Sequence, residues 1–185
     1  MSVRNGLLAV LTLGEGYGLQ LHSELAARAP HRRAVNVGQI YSTLERLART
    51  GMVEPAGTSS DALPLYRLTD AGRSAAVAWM IEPVLESLPE WTEMLDQVLV
   101  TSSIDPAAAI TVAERYRRWC ERDLAATRST AEPMLADARL ALVAREAQAV
   151  AAIVWLGSAI AALSDYDTFR ALSGTRPKRG RRANP

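Results

Sequence analysis

Apolar positions at the start of the chain recur every three or four residues, the spacing of helices that pack on one side. The pattern predicts a first helix from Val3 to Leu13, ended by the glycines of Gly14-Glu15-Gly16. A second helix, which stops before Pro30, is predicted by the spacing of Leu19, Leu21, His22, Leu25 and Ala26. The chain therefore begins with two short helices joined by a glycine-rich turn.

A third helix with two chemically different faces follows. Asn36 is suited to cap its start and Gly51 to follow its last turn. The predicted apolar face consists of Val37, Ile40, Tyr41, Leu44, Leu47 and Ala48. The opposite face consists of Gln39, Ser42, Thr43, Arg46 and Arg49. These hydrogen-bonding side chains have no role in a core, so the face either is solvated or contacts a polar partner.

Residues 52–69 predict a β-hairpin, because two short apolar runs flank a centre rich in Gly, Ser and Asp. Thr69-Asp70 then caps a predicted helix that continues through Trp79 and Met80. Prolines at positions 83 and 89 interrupt the pattern. We therefore expect a domain boundary near residue 80.

Two long helices are predicted downstream of this boundary. Asp105-Pro106, an N-cap residue followed by proline at the first helical position, opens an amphipathic helix that Pro133 kinks or breaks. A final helix is expected from about Leu140 to Leu172. One of its faces carries apolar and small residues in a 3-4 alternation, here called the seam: Val143, Ala147, Val150, Val154, Gly157 and Ala161. The seam predicts close packing against another helix, most naturally that of a two-fold partner.

The formal net charge of +1 conceals an uneven distribution. Residues 1–75 carry 8 arginines and 6 acidic residues, and residues 76–175 carry 8 arginines and 14 acidic residues. The last ten residues carry five basic side chains and no acidic one. A polyanion is attracted to basic surfaces, so a nucleic-acid surface is expected outside residues 76–175. The tail is either a DNA-contacting arm or a solvated end.

Together these features predict a mainly α protein with a small β-hairpin. The order helix, helix, polar-faced helix, hairpin is that of a winged helix-turn-helix, in which a helix enters the major groove and the hairpin, or wing, reaches nearby phosphates. Arg32 and Arg33, just before the third helix, are expected to add salt-sensitive phosphate contacts. We expect a winged helix-turn-helix over residues 1–80, a helical dimerisation and effector module over 81–172, and a basic tail over 173–185.

Several motifs in the first 80 residues resemble the PadR family of bacterial transcriptional regulators. They are LLAVL at 7–11, GYG at 16–18, GQIYSTLERL at 38–47, GMVE at 51–54 and YRLTDAGR at 66–73. The resemblance implies a homodimer joined by C-terminal helices and a repressor that releases DNA on sensing a ligand or stress. It makes the recognition surface Gly38, Gln39, Tyr41, Ser42, Thr43 and Arg46, with Tyr41 also bracing the helix, and it assigns Tyr66 and Arg67 to the wing.

This chain departs from that family pattern at two places. Many members have proline where this chain has Ser42, and a Lys/Arg-rich wing where it reads SDALPL at 60–65. The expected partner is nevertheless double-stranded DNA with a roughly palindromic sequence, bound by a homodimer.

Other residues admit a functional and a purely structural interpretation. Four tryptophans, Trp79, Trp91, Trp119 and Trp155, either line a pocket for a small aromatic or cationic effector or belong to the core; Trp91 is expected in an acidic linker. The lone Cys120 is either a redox sensor or a small buried residue. No catalytic, cofactor-binding or metal-binding motif is recognisable, so we expect neither an enzyme nor a cofactor.

The cellular location and a rival function also follow from the sequence. The N-terminus lacks the features of a signal peptide and a single cysteine forms no internal disulfide, so a cytoplasmic protein is expected. Residues 147–164 contain no charge and approach the length of a membrane span, but alanines dilute their hydrophobicity. The interpretation favoured is an interface helix without a membrane partner; the rival is a helical adaptor or membrane-surface protein.

Overall fold

A computed structural model describes residues 3–32, 35–83, 85, 88–129 and 135–174. The described residues form two compact units, one made of residues up to Val77 together with those from Arg170 onward, and the other of Ala78–Phe169. The elements are α1 (Val3–Leu11), β1 (Gly16–Tyr17), α2 (Gly18–Arg28), α3 (Val37–Arg49), β2 (Val53–Thr58), β3 (Pro64–Leu68), α4 (Asp70–Ile81), α5 (Trp91–Ser102), α6 (Pro106–Ser129) and α7 (Ala136–Asp165).

The first unit packs α1, α2 and α3 against one another beside a three-stranded antiparallel sheet. Leucines from all three helices are fully buried between them, among them Leu7, Leu21 and Leu44. The strand order is β1-β3-β2, with Gly16 opposite Tyr66 and Val53 opposite Leu68. The three helices and the hairpin agree with the sequence pattern. Strand β1 was expected to be only a turn; its two residues extend because they pair with β3.

Local capping explains where the helices of this unit begin and end. Asn36 Oδ1 accepts a hydrogen bond from the Gly38 amide at 2.8 Å and so starts α3. Gly51 follows α3 with φ +66°, a conformation that costs glycine little. Thr69 Oγ1 accepts from the Gly72 amide at 3.1 Å and starts α4. These caps confirm the predicted boundaries at both ends of α3 and at the start of α4.

The second unit is helical, with α5 and α7 both packed against α6. Its core cluster combines Met94 and Val98 of α5, Val112 and Tyr116 of α6, and Leu156 of α7 with smaller neighbours. Asp105 Oδ1 accepts from the Ala108 amide at 2.9 Å, as predicted for the start of α6. Helix α5 was missed: Trp91 starts this helix instead of lying in a linker.

The end of the chain differs most from expectation. Helix α7 ends at Asp165 and not near Leu172, because polar side chains after it bond to backbone groups. Thr168 Oγ1 donates to the Ser102 carbonyl at 2.7 Å, and Asp167 Oδ1 accepts from the Phe169 amide at 3.0 Å. Residues 170–174 then pack on the first unit, although the sequence grouped residues 81–172 together. Pro133 and the basic residues of the tail lie outside the described residues.

Candidate nucleic-acid interface

Helix α3 divides its side chains between a buried apolar face and an exposed polar face. Ile40, Leu44 and Leu47 are at most 1% exposed and hold the helix on α1 and α2. The opposite side exposes Gly38, Gln39, Ser42, Arg46 and Arg49. An exposed row of amide, hydroxyl and guanidinium groups on a rigidly packed helix is suited to hydrogen bonding with base edges and phosphates.

Thr43 does not belong to that exposed face, which corrects the sequence-based assignment. Its side chain is 3% exposed because it lies at the edge of the buried face. The Thr43 hydroxyl donates to the Gln39 carbonyl at 2.7 Å and accepts from Arg46 Nη2 at 3.2 Å. Thr43 therefore orients the Arg46 guanidinium instead of presenting its own hydroxyl outward. Ser42 remains exposed, and its hydroxyl also donates to the Gln39 carbonyl, at 3.1 Å.

Tyr41 lies where α3 meets the start of α2. Its side chain is 36% exposed, so part of the ring is accessible while the rest packs inside the unit. A Cβ placed on Gly18 would lie 2.5 Å from Cε1 of Tyr41, closer than real side-chain contacts. Glycine at position 18 therefore allows the ring to rest directly on the α2 backbone, in agreement with a bracing role for Tyr41.

A groove of about 340 Å³ joins the polar face of α3 to the start of α1. It is lined by Arg4 together with Gln39, Arg46 and Thr50. Arg4 is exposed, and its Nη1 donates to Asn5 Oδ1 at 3.1 Å. Sequence reasoning missed Arg4, because its position in the first turn of α1 carries no mark of proximity to α3. With Arg46 it gives the groove two guanidinium groups.

The β2–β3 hairpin, which corresponds to the wing, carries little positive charge, although a wing that contacts phosphates would be expected to be basic. Tyr66 is half-buried in β3, whereas Arg67 is exposed and its Nε donates to Glu54 Oε1 at 2.8 Å. The tip is closed by a hydrogen bond from the Ser59 amide to the Leu63 carbonyl at 2.8 Å, and it carries Asp61. The hairpin therefore contains one arginine and two carboxylates.

The connection between α2 and α3 is held by local hydrogen bonds. His22 Nε2 lies 2.6 Å from the Val35 carbonyl oxygen, which requires the tautomer that carries hydrogen on this nitrogen. Arg32 is half-buried and its amide donates to the Ala29 carbonyl at 3.1 Å. Arg33 lies outside the described residues. On the other side of these residues, the described chain resumes at Val35, directly before the Asn36 cap of α3.

Three of the four tryptophans meet at the core of the second unit. Trp91 and Trp155 have ring centroids 5.8 Å apart with planes tilted by 60°, a favourable aromatic arrangement. Trp119 packs on the same core cluster. Trp79 is not among the residues packed there; its carbonyl accepts a hydrogen bond from Gln97 Nε2. The four residues therefore do not form one pocket.

An apolar groove of about 360 Å³ lies beside this cluster, between α5 and α7. Trp155 is the only one of the four tryptophans that lines it, together with Leu99, Ala159 and Leu163. The Ser102, Ser158 and Thr168 side chains add hydroxyl groups to the wall. This groove has the composition of a site for a small, largely apolar molecule.

Cys120 is fully buried in the core cluster, and burial raises the pKa of its thiol to about 11. A thiol with this pKa stays protonated near neutral pH and is a poor nucleophile, which favours the structural interpretation of Cys120. Burial also raises the pKa of Tyr116, whose hydroxyl donates to Gln97 Oε1 at 2.5 Å. Within the described residues, no group of three His, Cys, Asp or Glu side chains is arranged to hold a metal ion.

Helix α7 exposes the predicted seam. Val143 is 58% exposed and Val154 is 65% exposed, and Ala147, Val150 and Ala161 are exposed as well, with Gly157 half-buried. In the described part of the chain, α7 is also the one helix long and apolar enough to cross a membrane, judged by length and composition alone. Only 17% of its most apolar stretch is buried, so the helix is apolar on both sides.

Three packed helices, the third exposing hydrogen-bonding side chains and followed by a hairpin, define a winged helix-turn-helix of the kind that binds DNA. Comparison with protein families gives the same class and narrows it. The model of the transcriptional regulator PadR-like family matches residues 7–78. This part of the chain is thus a PadR-like transcriptional regulator domain, and members of the family are regulators, not enzymes.

Similarity to solved structures extends beyond this domain but is weak. Bacillus subtilis PadR in complex with operator DNA is 20% identical, with 88% of this chain and 99% of that chain covered and a TM-score of 0.40. The same protein in complex with p-coumaric acid is 19% identical, with 89% and 99% covered and a TM-score of 0.38. The Vibrio cholerae virulence activator AphA is 18% identical, with 89% and 97% covered and a TM-score of 0.38. The comparison with curated proteins gave no match.

Proposed function

We propose that this PadR-like regulator is a cytoplasmic repressor that binds DNA as a homodimer. The N-terminal unit reads DNA, and the C-terminal unit joins the two copies and receives an effector. The observation that carries the proposal is the exposed face of α3, on which Gln39 and Arg46, about two helical turns apart, line the same groove. A helix with this face fits the major groove of a duplex.

Each exposed side chain has a defined role in this proposal. Gln39 is suited to paired hydrogen bonds with adenine, and Arg46 to guanine or a phosphate. Gly38 lets the backbone approach the DNA closely, while Ser42 and Tyr41 extend the contact surface. Arg32 and Arg33, and Arg4 at the start of α1, supply sequence-independent phosphate contacts. Tyr66 and Arg67 of the wing contribute less, because Arg67 is already paired with Glu54.

The homodimer is proposed on the exposed seam of α7. Val143 and Val154 are exposed by more than half and Val150 by 41%, and with the small residues of the seam they leave an apolar strip that a second α7 can cover at close range. A two-fold axis then presents two α3 helices to successive major grooves. The operator should be roughly palindromic, with half-sites about 34 Å apart.

An effector would act by binding one dimer arrangement better than another, since only a difference in affinity shifts such an equilibrium. The apolar groove beside Trp155 and the paired Trp91 and Trp155 rings favour a small aromatic molecule. The acidic character of residues 76–175 favours one with positive charge.

The test is binding to DNA taken from upstream of the protein's own gene, measured by gel shift at several salt concentrations. Arg46→Ala should weaken binding by about 5- to 150-fold, since one good base contact contributes about 1–3 kcal/mol. Arg118→Ala is the matched control: it removes the same charge from an exposed residue of the acidic unit. Equal binding by both variants and the unmodified chain would contradict the proposed interface.

A rival function, as a helical adaptor or membrane-surface protein, draws on the apolar α7. Membrane fractionation of cells that produce the protein distinguishes it. The regulator should be recovered in the soluble fraction and should bind DNA. Recovery with membranes, together with no DNA binding, would favour the rival.

A further inference from the structure

The exposed residues of α3 do not all point in the same direction. Successive residues of an α-helix are rotated by about 100° around its axis, so the buried side defines the direction opposite to it. The buried side of α3 is centred between Ile40 and Leu47, which are 0% and 1% exposed. The residues within about 30° of the opposite direction are all exposed and are here called the outer ridge: Gly38, Ser42, Glu45 and Arg49.

Gln39 and Arg46 lie beside the outer ridge and not on it. They are rotated by about 70–90° from the direction opposite the buried side. Both line the groove that α3 shares with Arg4 of α1, and Arg46 Nη2 is held there by its hydrogen bond to the Thr43 hydroxyl at 3.2 Å. A helix that points its outer ridge at the floor of the major groove turns this flank toward the phosphates of one wall. Arg46 is thus placed for a phosphate, and the outer ridge for the bases.

Glu45 carries the one negative charge of the outer ridge and lies between Ser42 and Arg49. Its side chain is exposed. Arg49 follows it by one turn, at the spacing of an ion pair, and Arg46 is its neighbour in sequence. Within the part of the chain that the structure describes, neither arginine nor any other residue forms an ion pair or a side-chain hydrogen bond with the Glu45 carboxylate. Its oxygens are therefore available to a binding partner.

A carboxylate can contact DNA favourably at few places. The phosphates repel it, and guanine presents two acceptors in the major groove, N7 and O6, which a carboxylate cannot pair with. The amino groups of cytosine and adenine are donors, but adenine places the acceptor N7 beside its amino group. Cytosine presents its N4 amino group without such a neighbour on the same base. It is therefore the base that a carboxylate on the outer ridge is best suited to recognise.

We propose that Glu45 is a specificity-determining residue, whose carboxylate accepts a hydrogen bond from the N4 amino group of a cytosine in each operator half-site. The inference rests on the proposed DNA-binding function. The same charge is repelled by the phosphates of a duplex that offers no amino group at that position, so Glu45 also weakens binding to other sequences. Discrimination therefore comes from one attractive contact and one repulsive effect.

The proposal predicts a particular base in the operator, which the full chain itself can identify. Selection from a library of duplexes with a randomised centre, followed by sequencing, should give half-sites with a cytosine at a fixed position. Three labelled duplexes then serve as probes in fluorescence anisotropy. They are the selected sequence, the same sequence with A·T in place of each fixed C·G pair in turn, and an unrelated sequence.

Three variants separate a base contact from a general effect of charge. Glu45→Ala removes the acceptor, and Glu45→Gln keeps the length of the side chain but replaces the carboxylate with an amide. Glu121→Gln is the matched control, because it neutralises an exposed glutamate of the acidic second unit. Thermal melting checks that all three variants are folded.

The unmodified chain should prefer the selected duplex over the A·T duplex by about 5- to 150-fold, as expected for one good base contact. Glu45→Ala should abolish this preference and bind the unrelated duplex about two- to tenfold more tightly, since a charge that repels phosphates is gone. Glu45→Gln should reverse the preference toward A·T, because an amide forms paired hydrogen bonds with adenine. Glu121→Gln should keep the preference of the unmodified chain.

A glutamate that is only solvated would give a different result. Its neutralisation would tighten binding to all three duplexes by the same factor and leave the preference unchanged, which would overturn the proposal. Selected half-sites without a fixed cytosine, or equal binding of the unmodified chain to all three duplexes, would overturn it as well. If the full chain binds no duplex even at about 50 mM salt, the proposed DNA-binding function itself fails, which is a distinct outcome.

Discussion

Helices α3 and α7 each bury one face in their own unit, but their exposed faces have opposite chemistry. Helix α3 exposes Gln39, Ser42 and Arg46, whose side chains can form hydrogen bonds either with water or with a DNA duplex. Helix α7 exposes Val143 and Val154, apolar side chains whose contact with water is unfavourable. A polar face can remain solvated at little cost, whereas an apolar strip of this length favours a protein partner. The exposed face of α7 is therefore the stronger evidence that a binding partner exists. The exposed face of α3 says more about the chemical nature of the molecule it would bind.

The largest expected effect comes from placing a charge on the seam. In a two-fold dimer, Val154→Glu buries two carboxylates at one interface, and the cost should exceed about 4 kcal/mol, a rise of about a thousandfold in the dimer dissociation constant. Ala144→Glu is the matched control, since Ala144 is exposed on α7 about a quarter turn from the seam. Analytical ultracentrifugation measures both. A monomeric unmodified chain, or equal behaviour of the two variants, would contradict the α7 interface.

The second effect concerns the support of α3. Gly18→Ala places a methyl group against the Tyr41 ring and should lower the free energy of unfolding of the first unit by about 3 kcal/mol. It should weaken DNA binding while leaving the dimer intact. Repeating the substitution in a Tyr41→Ala background checks the cause, because the cost should largely disappear when the ring is absent. The same loss of free energy of unfolding in both backgrounds would show that the added methyl group does not clash with the Tyr41 ring.

The third effect concerns Cys120 of α6, which belongs to the core cluster that also contains the buried side of α7. Its thiol pKa rises from 9.0 to about 11 on folding, so the folded state holds its proton more tightly than the unfolded state. This contribution is complete below pH 9.0 and is lost as pH rises through about 11, by about 2–3 kcal/mol. Denaturant unfolding of the unmodified chain and of Cys120→Ala across this range measures it. Parallel pH profiles would contradict the shift.

The smallest effect tests how Arg46 is oriented. Thr43→Val keeps the buried shape but removes the hydroxyl that accepts from Arg46, so DNA affinity should fall by about two- to fivefold, or about 0.5–1 kcal/mol. Thr43→Ser keeps the hydroxyl and should bind almost normally. Thermal stability reports any general loss of folding. Normal binding by Thr43→Val together with a fall in Thr43→Ser would show that the Thr43 methyl group, and not its hydroxyl, supports the interface.

Features governed by local chemistry were predictable from the sequence. The Asn36 and Asp105 caps, the glycine after α3 and the hairpin all depend on residues within a few positions of one another. Helix α5 was not predictable in this way, because Asp96, Gln97 and Thr101 are buried and break its apolar periodicity.

The missed parts of the candidate interface depend on contacts between distant positions. Arg4 approaches α3 only through the packing of α1, and β1 extends only because it pairs with β3. The burial of Thr43 depends on a rotation of α3 by less than one residue, which periodicity does not resolve.

Residues 170–173 hydrogen-bond through their backbone to the buried ion pair of Glu24 and Arg28, which has a consequence for the order in which the molecule matures during synthesis. Glu24 and Arg28 leave the ribosome early, but the backbone groups that complete their pairing emerge roughly 150 residues later. Until then the pair is without the three hydrogen bonds that these backbone groups supply, and a truncated product that stops before Arg170 never forms them. Assembly of this buried pair in the N-terminal unit is thus expected only after the helices of the second unit have been made.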